Sequence, residues 1–324
     1  MRALSTAGER VVVDCALPWL MCLLTDSTGG ELAEATPADG TVRVAIQASR
    51  EAFTHNGWTL IGRGCWASPA SALIVDACSS GFDLLVEPRG ETLDVTARYR
   101  PAPRTRAANT FIRPRFKLLA AQTLLHYPAL WWASVRGRVP LHVSVTAAAG
   151  SVTMVAGPGG VGKSTLLSVG LANGEIATAD NVCACDGRSA HGLAEPLRVS
   201  ARAGLATTTH GRTERPLPGR VPSLDPDRLV VLRRGTPDAA SSVGPLESAD
   251  AARTLVAGTY MAGELRRFWP FAATLALATG LGPAHPDVSG VAAVLAARLP
   301  CLELSVAHGS RRSVAELLHP AGAL

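Results

Sequence analysis

Apolar residues alternate with polar ones in several short segments of the first hundred residues, a pattern typical of half-buried β-strands. Glycine, aspartate and proline separate these segments and mark turns. The pattern predicts strands at Val11–Val13, Val42–Ile46, Leu73–Val75, Phe82–Val86 and Leu93–Arg98. A Pro/Arg-rich segment, Pro101–Arg106, follows and is predicted to be a connection. We therefore expect an N-terminal β-rich recognition domain over residues 1–106.

The rest of the chain alternates predicted strands with predicted helices, because apolar residues recur at spacings of two and of three to four residues. The predicted helices are Arg115–His126, Ser164–Asn173, Ala251–Ala257, Phe271–Ala278 and Val291–Leu299. The predicted strands are Leu141–Thr146, Val152–Ala156, Ile176–Ala179, Arg228–Leu232 and Cys301–Val306. Residues 201–227 are rich in Thr, Arg, Gly and Pro and are predicted to be loop. The fold class is therefore α/β, with a second domain over residues 107–324.

A glycine-rich segment lies between a predicted strand and a predicted helix and matches the P-loop pattern GxxxxGK[ST] throughout. It reads Gly157-Pro158-Gly159-Gly160-Val161-Gly162-Lys163-Ser164-Thr165. Glycines let successive backbone amides point at phosphate oxygens, and the next helix adds its positive N-terminal end. Lys163 would reach the terminal phosphates, and the Ser164 hydroxyl would ligate Mg²⁺. The sequence predicts binding of ATP, or a close phosphate relative, with Mg²⁺.

Two further residues near this motif are candidates for chemistry. Asp180 ends the next predicted strand, where its carboxylate would face the phosphates and could accept a proton from a hydroxyl or help to hold Mg²⁺. The Asp180-Asn181 pair also suits a plain turn. His142 lies on the polar face of the strand before the P-loop. A histidine there is more often a hydrogen-bonded strand residue than a catalytic group.

Taken together, these segments resemble the kinase domain of HPr kinase/phosphorylase and its relatives. The relatives include the HPr-kinase-like enzymes associated with ribosomally made peptides such as lasso peptides. The resemblance is carried by Leu141-His142, Gly150, the run from Val155 to Leu166, Gly174 and Ala179-Asp180. It covers roughly residues 110–310, more weakly towards the C-terminus, and does not firmly include the N-terminal third.

The resemblance implies a P-loop domain related to phosphoenolpyruvate carboxykinase. It also implies transfer of the ATP γ-phosphoryl group to a hydroxyl, typically of serine, on a peptide or small-molecule acceptor. By residue-wise carry-over, Lys163 binds the β- and γ-phosphates, and Ser164 ligates Mg²⁺ with help from Thr165. Asp180 acts as the base and as a metal ligand, and His142 lines the same pocket.

The sequence departs from the family in two ways. Asn181 stands where the family has a second aspartate, and an amide supplies no negative charge. Metal binding is then expected to be weaker, and the reverse dephosphorylation of the bifunctional members is not expected. The glycine-rich segment by which true HPr kinases engage their partner is also missing, so HPr is not the expected acceptor.

Basic residues are concentrated between Val95 and Gly174, where the sequence has no aspartate or glutamate. Such a block suits phosphate, an acidic peptide or nucleic acid, and a solvated basic face remains an alternative for Arg98–Lys117. Aromatic residues make up 5% of the chain, which argues against nucleic-acid binding by base stacking. Arg212 and Arg215 could contact phosphate or an acidic substrate, or belong to a solvated loop.

The remaining sequence features limit the cellular locations and the classes of partner that we expect. Seven cysteines without a CxxC pair favour reduced thiols over a disulfide framework or a zinc site. The apolar stretch Val11–Leu24 is too short to span a membrane and lacks the marks of a signal peptide. We expect a cytoplasmic protein with no membrane partner. Association with other biosynthetic enzymes or with a second copy of the chain is compatible with the sequence.

Functions from different classes remain open at this stage. The first is an ATP-dependent kinase that acts on a hydroxyl. The second is a catalytically silent ATP-binding partner or scaffold protein in a biosynthetic complex, which Asn181 favours. A simple NTPase without an acceptor is the third.

Overall fold

The structure, a computed structural model, describes residues 1–36, 40–200, 212–236 and 239–319. Packing divides the described chain into two units. Unit 1 contains Met1–Gly137 and Arg267–Pro286, and unit 2 contains residues 138–200, Thr213–Arg266 and residues 287–319. Both units combine strands and helices, which confirms the α/β class at that level.

Strands and helices alternate along the described chain as follows. The strands are β1 Arg2–Thr6, β2 Glu9–Cys15, β3 Ala33–Glu34, β4 Val42–Gln47, β5 Thr59–Gly62, β6 Cys65–Ser68, β7 Ser71–Ile74, β8 Phe82–Arg89, β9 Thr92–Tyr99, β10 Val139–Leu141, β11 Ser144–Ala148, β12 Ser151–Ala156, β13 Ile176–Ala179, β14 Cys183–Cys185, β15 Ala190–Gly192, β16 Leu197–Ser200, β17 Arg212–Arg215, β18 Ser223–Leu224, β19 Arg228–Arg234, β20 Ser242–Pro245 and β21 Cys301–Val306. The helices are α1 Pro18–Ser27, α2 Pro103–Phe111, α3 Arg113–Ala121, α4 Tyr127–Val135, α5 Lys163–Ala172, α6 Ser248–Tyr260, α7 Phe268–Thr279, α8 Val288–Arg298 and α9 Val314–Leu318. A π-helical turn, Gln122–His126, joins α3 to α4.

Unit 1 is built on a mixed sheet with the strand order β3-β1-β2-β4-β9-β8-β7-β6-β5 in the described chain. Strands β2, β4 and β9 run parallel to one another. The alternation along β4 sets its two faces: Val42, Val44 and Ile46 are buried, and the residues between them are exposed. The five strands predicted for this region each overlap an observed strand, so this part of the sequence pattern is confirmed.

The helices that follow the unit 1 sheet in sequence pack onto it, so they belong to the same unit as the sheet. The predicted connection Pro101–Arg106 is wrong from Pro103 onwards, because α2 begins there with Pro103 in its first turn. Helix α4 is buried from Tyr127 to Ser134 and packs against β2, β4 and β9. The packing boundary therefore falls after Gly137 rather than at residue 106.

Unit 2 contains a second mixed sheet in the order β13-β11-β12-β19-β21-β20. Its centre, β12, β19 and β21, is parallel, and β11 runs antiparallel to both β12 and β13. An apolar cluster fixes α5 and α9 on this sheet; it contains Val155, Leu166, Val230, Leu232, Leu304, Val314 and Leu317. A smaller sheet has the order β10-β14-β15-β18, and β16 pairs with β17 in a separate two-stranded sheet.

Two sequence predictions for unit 2 need correction. The predicted strand Leu141–Thr146 is two strands, β10 and β11, that belong to different sheets and are separated by His142 and Val143. The alternation is the same on both sides of the break, so periodicity could not reveal it. The predicted loop 201–227 contains β17 and β18, and its residues 201–211 lie outside the described residues.

All seven cysteines carry free thiols, and burial raises the pKa of Cys183 and Cys185 in β14. Both side chains are buried, so they pack within the unit as apolar groups. Within the described ranges, no helix is both long enough and apolar enough to cross a bilayer.

Candidate functional site

The predicted site residues follow or precede strands that meet at one edge of the larger unit 2 sheet. Strand β12 ends at Ala156, and the P-loop leads from it to α5, which begins at Lys163. Strand β13 ends at Ala179, directly before Asp180. Because β11 is antiparallel to both, its first residue, Ser144, lies at the edge where β12 and β13 end. Asp180 was expected on the strand next to β12; β11 in fact separates them.

The P-loop glycines have two different physical roles. A Cβ on Gly157 would lie 3.0 Å from the Leu232 carbonyl oxygen, so this glycine permits close packing on β19. Gly160 and Gly162 have φ angles of +78° and +120°, which favour glycine. Cβ atoms on Gly159, Gly160 or Gly162 would meet nothing within 4 Å. The loop therefore faces open space at the N-terminus of α5, where the first backbone amides have no intrahelical acceptor.

Lys163 is buried, with 6% of its surface exposed, and its ammonium is directed back into the loop. Its Nζ donates hydrogen bonds to the carbonyl oxygens of Gly157, at 2.9 Å, and Pro158, at 3.4 Å. These carbonyls fix the ammonium inside the curve of the loop. A phosphate in the loop would meet a positive charge that is already oriented.

Asp180 is almost fully buried, with 1% of its surface exposed. Ser144 Oγ donates to its backbone carbonyl, and Asn181 Nδ2 donates to its Oδ2 at 3.4 Å. The Ser164 hydroxyl and the Arg198 backbone amide also donate to its carboxylate. Its Oδ1 is buried and has no hydrogen-bond partner in the described chain. An orphaned carboxylate oxygen beside the P-loop serine is the feature expected of a ligand or proton acceptor.

The pKa of Asp180 lies above its usual value because burial disfavours the charged carboxylate. The Ser164 and Arg198 hydrogen bonds and the positive charges of Arg198 and Lys163 oppose this rise. The structure therefore brings Asp180 into the same electrostatic environment as the P-loop lysine. The carboxylate is not turned out to solvent.

His142 lies in the two-residue break between β10 and β11. Its backbone amide donates to Thr259 Oγ1 at 3.0 Å, and its ring donates to the Gly258 carbonyl. Burial and the nearby Lys163 charge lower its pKa to about 4, against the opposing charge of Glu264. The ring is therefore neutral at physiological pH, and its Nδ1 has no partner among the described residues.

A buried cluster of charges beside Asp180 was missed in the sequence. Arg198, whose side chain is 12% exposed, pairs with Glu195 at 3.3 Å, Glu264 at 3.2 Å and Glu214 at 3.7 Å. Burial alone would lower the pKa of Arg198, but these carboxylates and Asp180 outweigh burial and raise it. The cluster therefore holds one permanent cation among four acids.

Glu195 is the buried carboxylate that connects this cluster to the P-loop edge. Burial raises its pKa to about 7, helped by the charges of Glu264 and Asp180 and opposed by Arg198. The Asn181 side chain donates to Glu195 as well as to Asp180. Asn181 thus lies between two carboxylates, those of Asp180 and Glu195.

One local signal could have pointed to this cluster. Glu195 and Arg198 interrupt a run in which Leu193, Ala194 and Leu197 are buried. Charged residues in an apolar run after a strand are rarely buried unless they are paired. Glu264 comes from a distant segment, so no spacing rule connects it to the other two.

The donor atoms at this edge fit a magnesium nucleotide. Mg²⁺ prefers oxygen ligands and usually binds through one or two carboxylates together with phosphate oxygens and water. The Ser164 hydroxyl and the Asp180 carboxylate supply such oxygens. In the described part of the chain, no group of three or more His, Cys, Asp or Glu side chains is arranged to hold a metal by itself. Phosphate oxygens would therefore have to complete the coordination.

The other predicted residues lie at the rim or elsewhere. Thr165 is exposed on α5, and its amide donates to the Gly162 carbonyl at 3.0 Å. Val161 packs partly against the apolar cluster of the sheet. Arg212 and Arg215 lie on β17, and their suggested contact with phosphate or an acidic substrate stays a prediction.

Comparison with known proteins adds no family assignment to this geometry. No protein-family model matches the sequence, and no curated protein is significantly similar to it. The similarity to HPr-kinase-like enzymes therefore remains an expectation from the motif residues.

Proposed function

We propose that this chain is an ATP-dependent kinase of the HPr kinase/phosphoenolpyruvate carboxykinase type. It would transfer the γ-phosphoryl group to a hydroxyl of a peptide or small-molecule acceptor. The observation that supports this most is the buried Asp180 carboxylate, which accepts from the P-loop Ser164 and keeps Oδ1 without a partner in the described chain. A nucleotide holder alone would have no need for a desolvated carboxylate at that position.

The chain's own groups would first bind and orient the polyphosphate. The backbone amides of Gly159 to Ser164 would donate to phosphate oxygens, and the Lys163 ammonium would exchange its loop carbonyls for them. The Ser164 hydroxyl and Asp180 would hold Mg²⁺ against the phosphates. When bound, Mg²⁺ supplies neutralisation of the charge on the phosphate oxygens.

Asp180 would then act on the acceptor. Its Oδ1 would accept the hydroxyl proton as the new phosphorus–oxygen bond forms and the bond between the γ-phosphorus and the bridging oxygen breaks, releasing ADP. A raised pKa makes the ionised carboxylate a better base, and the nearby charges of Lys163 and Arg198 favour its ionised form. His142 is neutral and would line the pocket without adding a competing positive charge.

The alternative is a catalytically silent ATP-binding partner, and one observation favours it. Asn181 stands where the resembled family has a second aspartate, and its amide donates to Asp180 and Glu195 instead of supplying a negative charge for the metal. In that case the chain binds ATP but forms no phosphorylated product. A simple NTPase would instead release inorganic phosphate without any acceptor.

The replacement Asp180→Asn separates these functions. A kinase should lose transfer by about 100- to 10,000-fold, the usual contribution of a positioned base, while ATP binding survives. The measurement is the intact mass of candidate hydroxyl-bearing peptides incubated with ATP and Mg²⁺, with nucleotide affinity determined by calorimetry. Asp225→Asn is the matched control, because this carboxylate is exposed and lies outside the site.

The outcomes are distinct. Unchanged transfer by Asp180→Asn would exclude Asp180 as the base. ATP binding without any phosphorylated product in the unmodified protein would support the silent partner. Phosphate release without an acceptor, lost in Asp180→Asn, would support the NTPase.

A further inference from the structure

A groove of about 380 Å³ opens on unit 1, and nothing in the P-loop chemistry uses it. We call it the Arg–Trp groove. Its polar and aromatic lining comes from α1, the end of β4, the end of β9 and α2. The residues that matter here are Trp19, Gln47, Arg50, Tyr99, Arg106 and Thr110.

The aromatic wall of the groove is firmly supported but exposed on one side. Trp19 packs on Tyr99, with ring centroids 5.5 Å apart, and on Phe116, at 6.1 Å. Phe82 and Phe116 support Tyr99 from behind. Trp19 nevertheless remains 45% exposed. A tryptophan held in place with half its surface in water is a typical anchor for an apolar or aromatic side chain of a partner.

The charge of the groove is of one sign. Arg50 and Arg106 are exposed, form no ion pair within the described chain, and no carboxylate lines the groove. Two neighbouring arginines are used internally instead. Arg98 donates to Gln47 Oε1 and to the carbonyls of Glu51 and Ala52.

Arg100 is the second of these internally used arginines. It donates to the Arg50 carbonyl at 2.9 Å and pairs with Asp83. Arg98 and Arg100 therefore fix the strand ends and the loop that carries Arg50. The guanidinium groups of Arg50 and Arg106 are exposed in the groove lining and remain available to a ligand.

We infer that the Arg–Trp groove binds an acidic peptide segment that also carries an aromatic side chain. Carboxylates of the peptide would pair with Arg50 and Arg106, because a guanidinium group can donate two parallel N–H hydrogen bonds to the two oxygens of a carboxylate. The aromatic side chain would pack on Trp19 and Tyr99. The Gln47 amide and the Thr110 hydroxyl would form hydrogen bonds with the peptide backbone.

The groove suits a peptide better than a nucleic acid. Single-stranded nucleic acid is bound along a basic channel by successive aromatic platforms. Here one exposed tryptophan faces a short groove, and aromatic residues are 5% of the chain. This inference goes beyond the proposed function and does not depend on it, since binding to unit 1 can be measured without nucleotide.

The test uses the full chain and a fluorescein-labelled copolymer of glutamate and tyrosine, with binding followed by fluorescence anisotropy at low salt. We expect binding to the wild-type protein, and at least about a tenfold loss of affinity in Arg50→Glu and in Arg106→Glu. Arg63→Glu is the matched control. Arg63 is exposed in the β5–β6 turn, outside the groove lining, and the replacement changes the net charge equally. It should alter the affinity less than twofold.

A second variant tests the aromatic wall. Trp19→Ala should weaken binding of the glutamate–tyrosine copolymer and leave the weaker binding of labelled polyglutamate unchanged. Circular dichroism of each variant shows whether the fold persists. If Trp19→Ala unfolds the protein, the same comparison is made with Trp19→Phe, which retains a smaller aromatic ring.

Three results would overturn the inference. One is an equal loss of affinity in Arg63→Glu, which would mean attraction by net charge alone. Another is tighter binding of labelled oligothymidylate than of the copolymer, which would make the groove a nucleic-acid site. The third is no binding of the copolymer to the wild-type protein.

Discussion

Arginines in the two units perform opposite tasks, and their surroundings explain why. In unit 2, Arg198 is 12% exposed and contacts three carboxylates within 3.7 Å. In unit 1, Arg50 and Arg106 are exposed and have no carboxylate partner in the described chain. Buried charges survive only when paired, whereas exposed unpaired charges cost little and remain available to a ligand. Arg198 thus belongs to the fold of the site, and Arg50 and Arg106 to recognition.

The comparison also separates two ways of preparing a site. At the P-loop edge, burial shifts the pKa values of Asp180, Glu195 and His142 away from their usual range. The Arg–Trp groove instead relies on exposed guanidinium groups, which are charged at any physiological pH. Chemistry is therefore expected in unit 2 and recognition in unit 1.

The largest effect should come from Arg198→Ala. Removing the cation takes away the ion-pair partner of the buried Glu195, and breaking a buried pair in this way typically costs about 3–5 kcal/mol of folding free energy. Arg50→Ala is the matched change in unit 1 and should stay within about 0.5 kcal/mol of the wild type. Urea denaturation of both variants measures the difference. Equal losses would contradict the contrast between a buried, paired arginine and an exposed one.

The pH dependence of folding stability should reveal the raised pKa of Glu195. Its pKa is raised from 4.5 to about 7 on folding, so between these values the folded state keeps a proton that the unfolded state has released. Stability is therefore lost as the pH rises through this window. Glu195→Gln lacks this loss, and the stability difference between variant and wild type should shift in the variant's favour by roughly 3 kcal/mol from pH 4 to pH 8.

Denaturation at a series of pH values measures the Glu195 effect. Asp180 and His142 titrate in both proteins, so their contributions largely cancel in the difference. Glu303→Gln is the control, since this glutamate is exposed and pairs with Arg233 at the surface. A pH-independent difference for Glu195→Gln would show that folding does not raise the pKa of Glu195.

Nucleotide affinity should depend on one of the two lysines of the chain. Lys163→Ala removes the ammonium that the Gly157 and Pro158 carbonyls hold in place, and should weaken ATP binding by about 100-fold. Lys117→Ala should leave it unchanged, because Lys117 pairs with Asp26 in unit 1. Calorimetric titration with ATP and Mg²⁺ distinguishes them. ATP affinity preserved in Lys163→Ala would refute the P-loop assignment itself.

The smallest effect concerns two glycines of the same loop. A methyl group meets open space at both Gly159 and Gly160, but only Gly160 has a positive φ, of +78°. Gly160→Ala should therefore cost about 1 kcal/mol of stability, and Gly159→Ala should cost nothing measurable. Thermal unfolding without nucleotide is the measurement. A larger loss for Gly159→Ala would show that the loop is packed rather than open.

Local features of this molecule were predictable from sequence, because they depend on neighbours along the chain. The strands β4, β8 and β9, the P-loop and α5 were found from alternation and from a fixed motif. The start of α2 could also have been found, since Pro103 is well suited to a first helical turn. It was read as a connection because Pro and Arg cluster there.

Features that depend on strand order were not predictable in this way. Spacing placed Asp180 one helix after the P-loop, but it could not show that β11 lies between β12 and β13. The break at His142 was hidden because alternation continues through it. Arg198, Glu195 and Glu264 meet only in three dimensions, so the charge cluster that surrounds Asp180 had no single sequence signature.

The break between β10 and β11 has a consequence for how the chain tolerates change in length. Two residues, His142 and Val143, carry the backbone from one sheet to the other, so there is no slack to absorb an insertion. An added residue there would displace the imidazole or reverse the faces of β11. The hairpin turn at Ala149-Gly150 is exposed and should accept insertions far more readily. Length at residues 142–143 is therefore a stricter requirement than the identity of many residues around it.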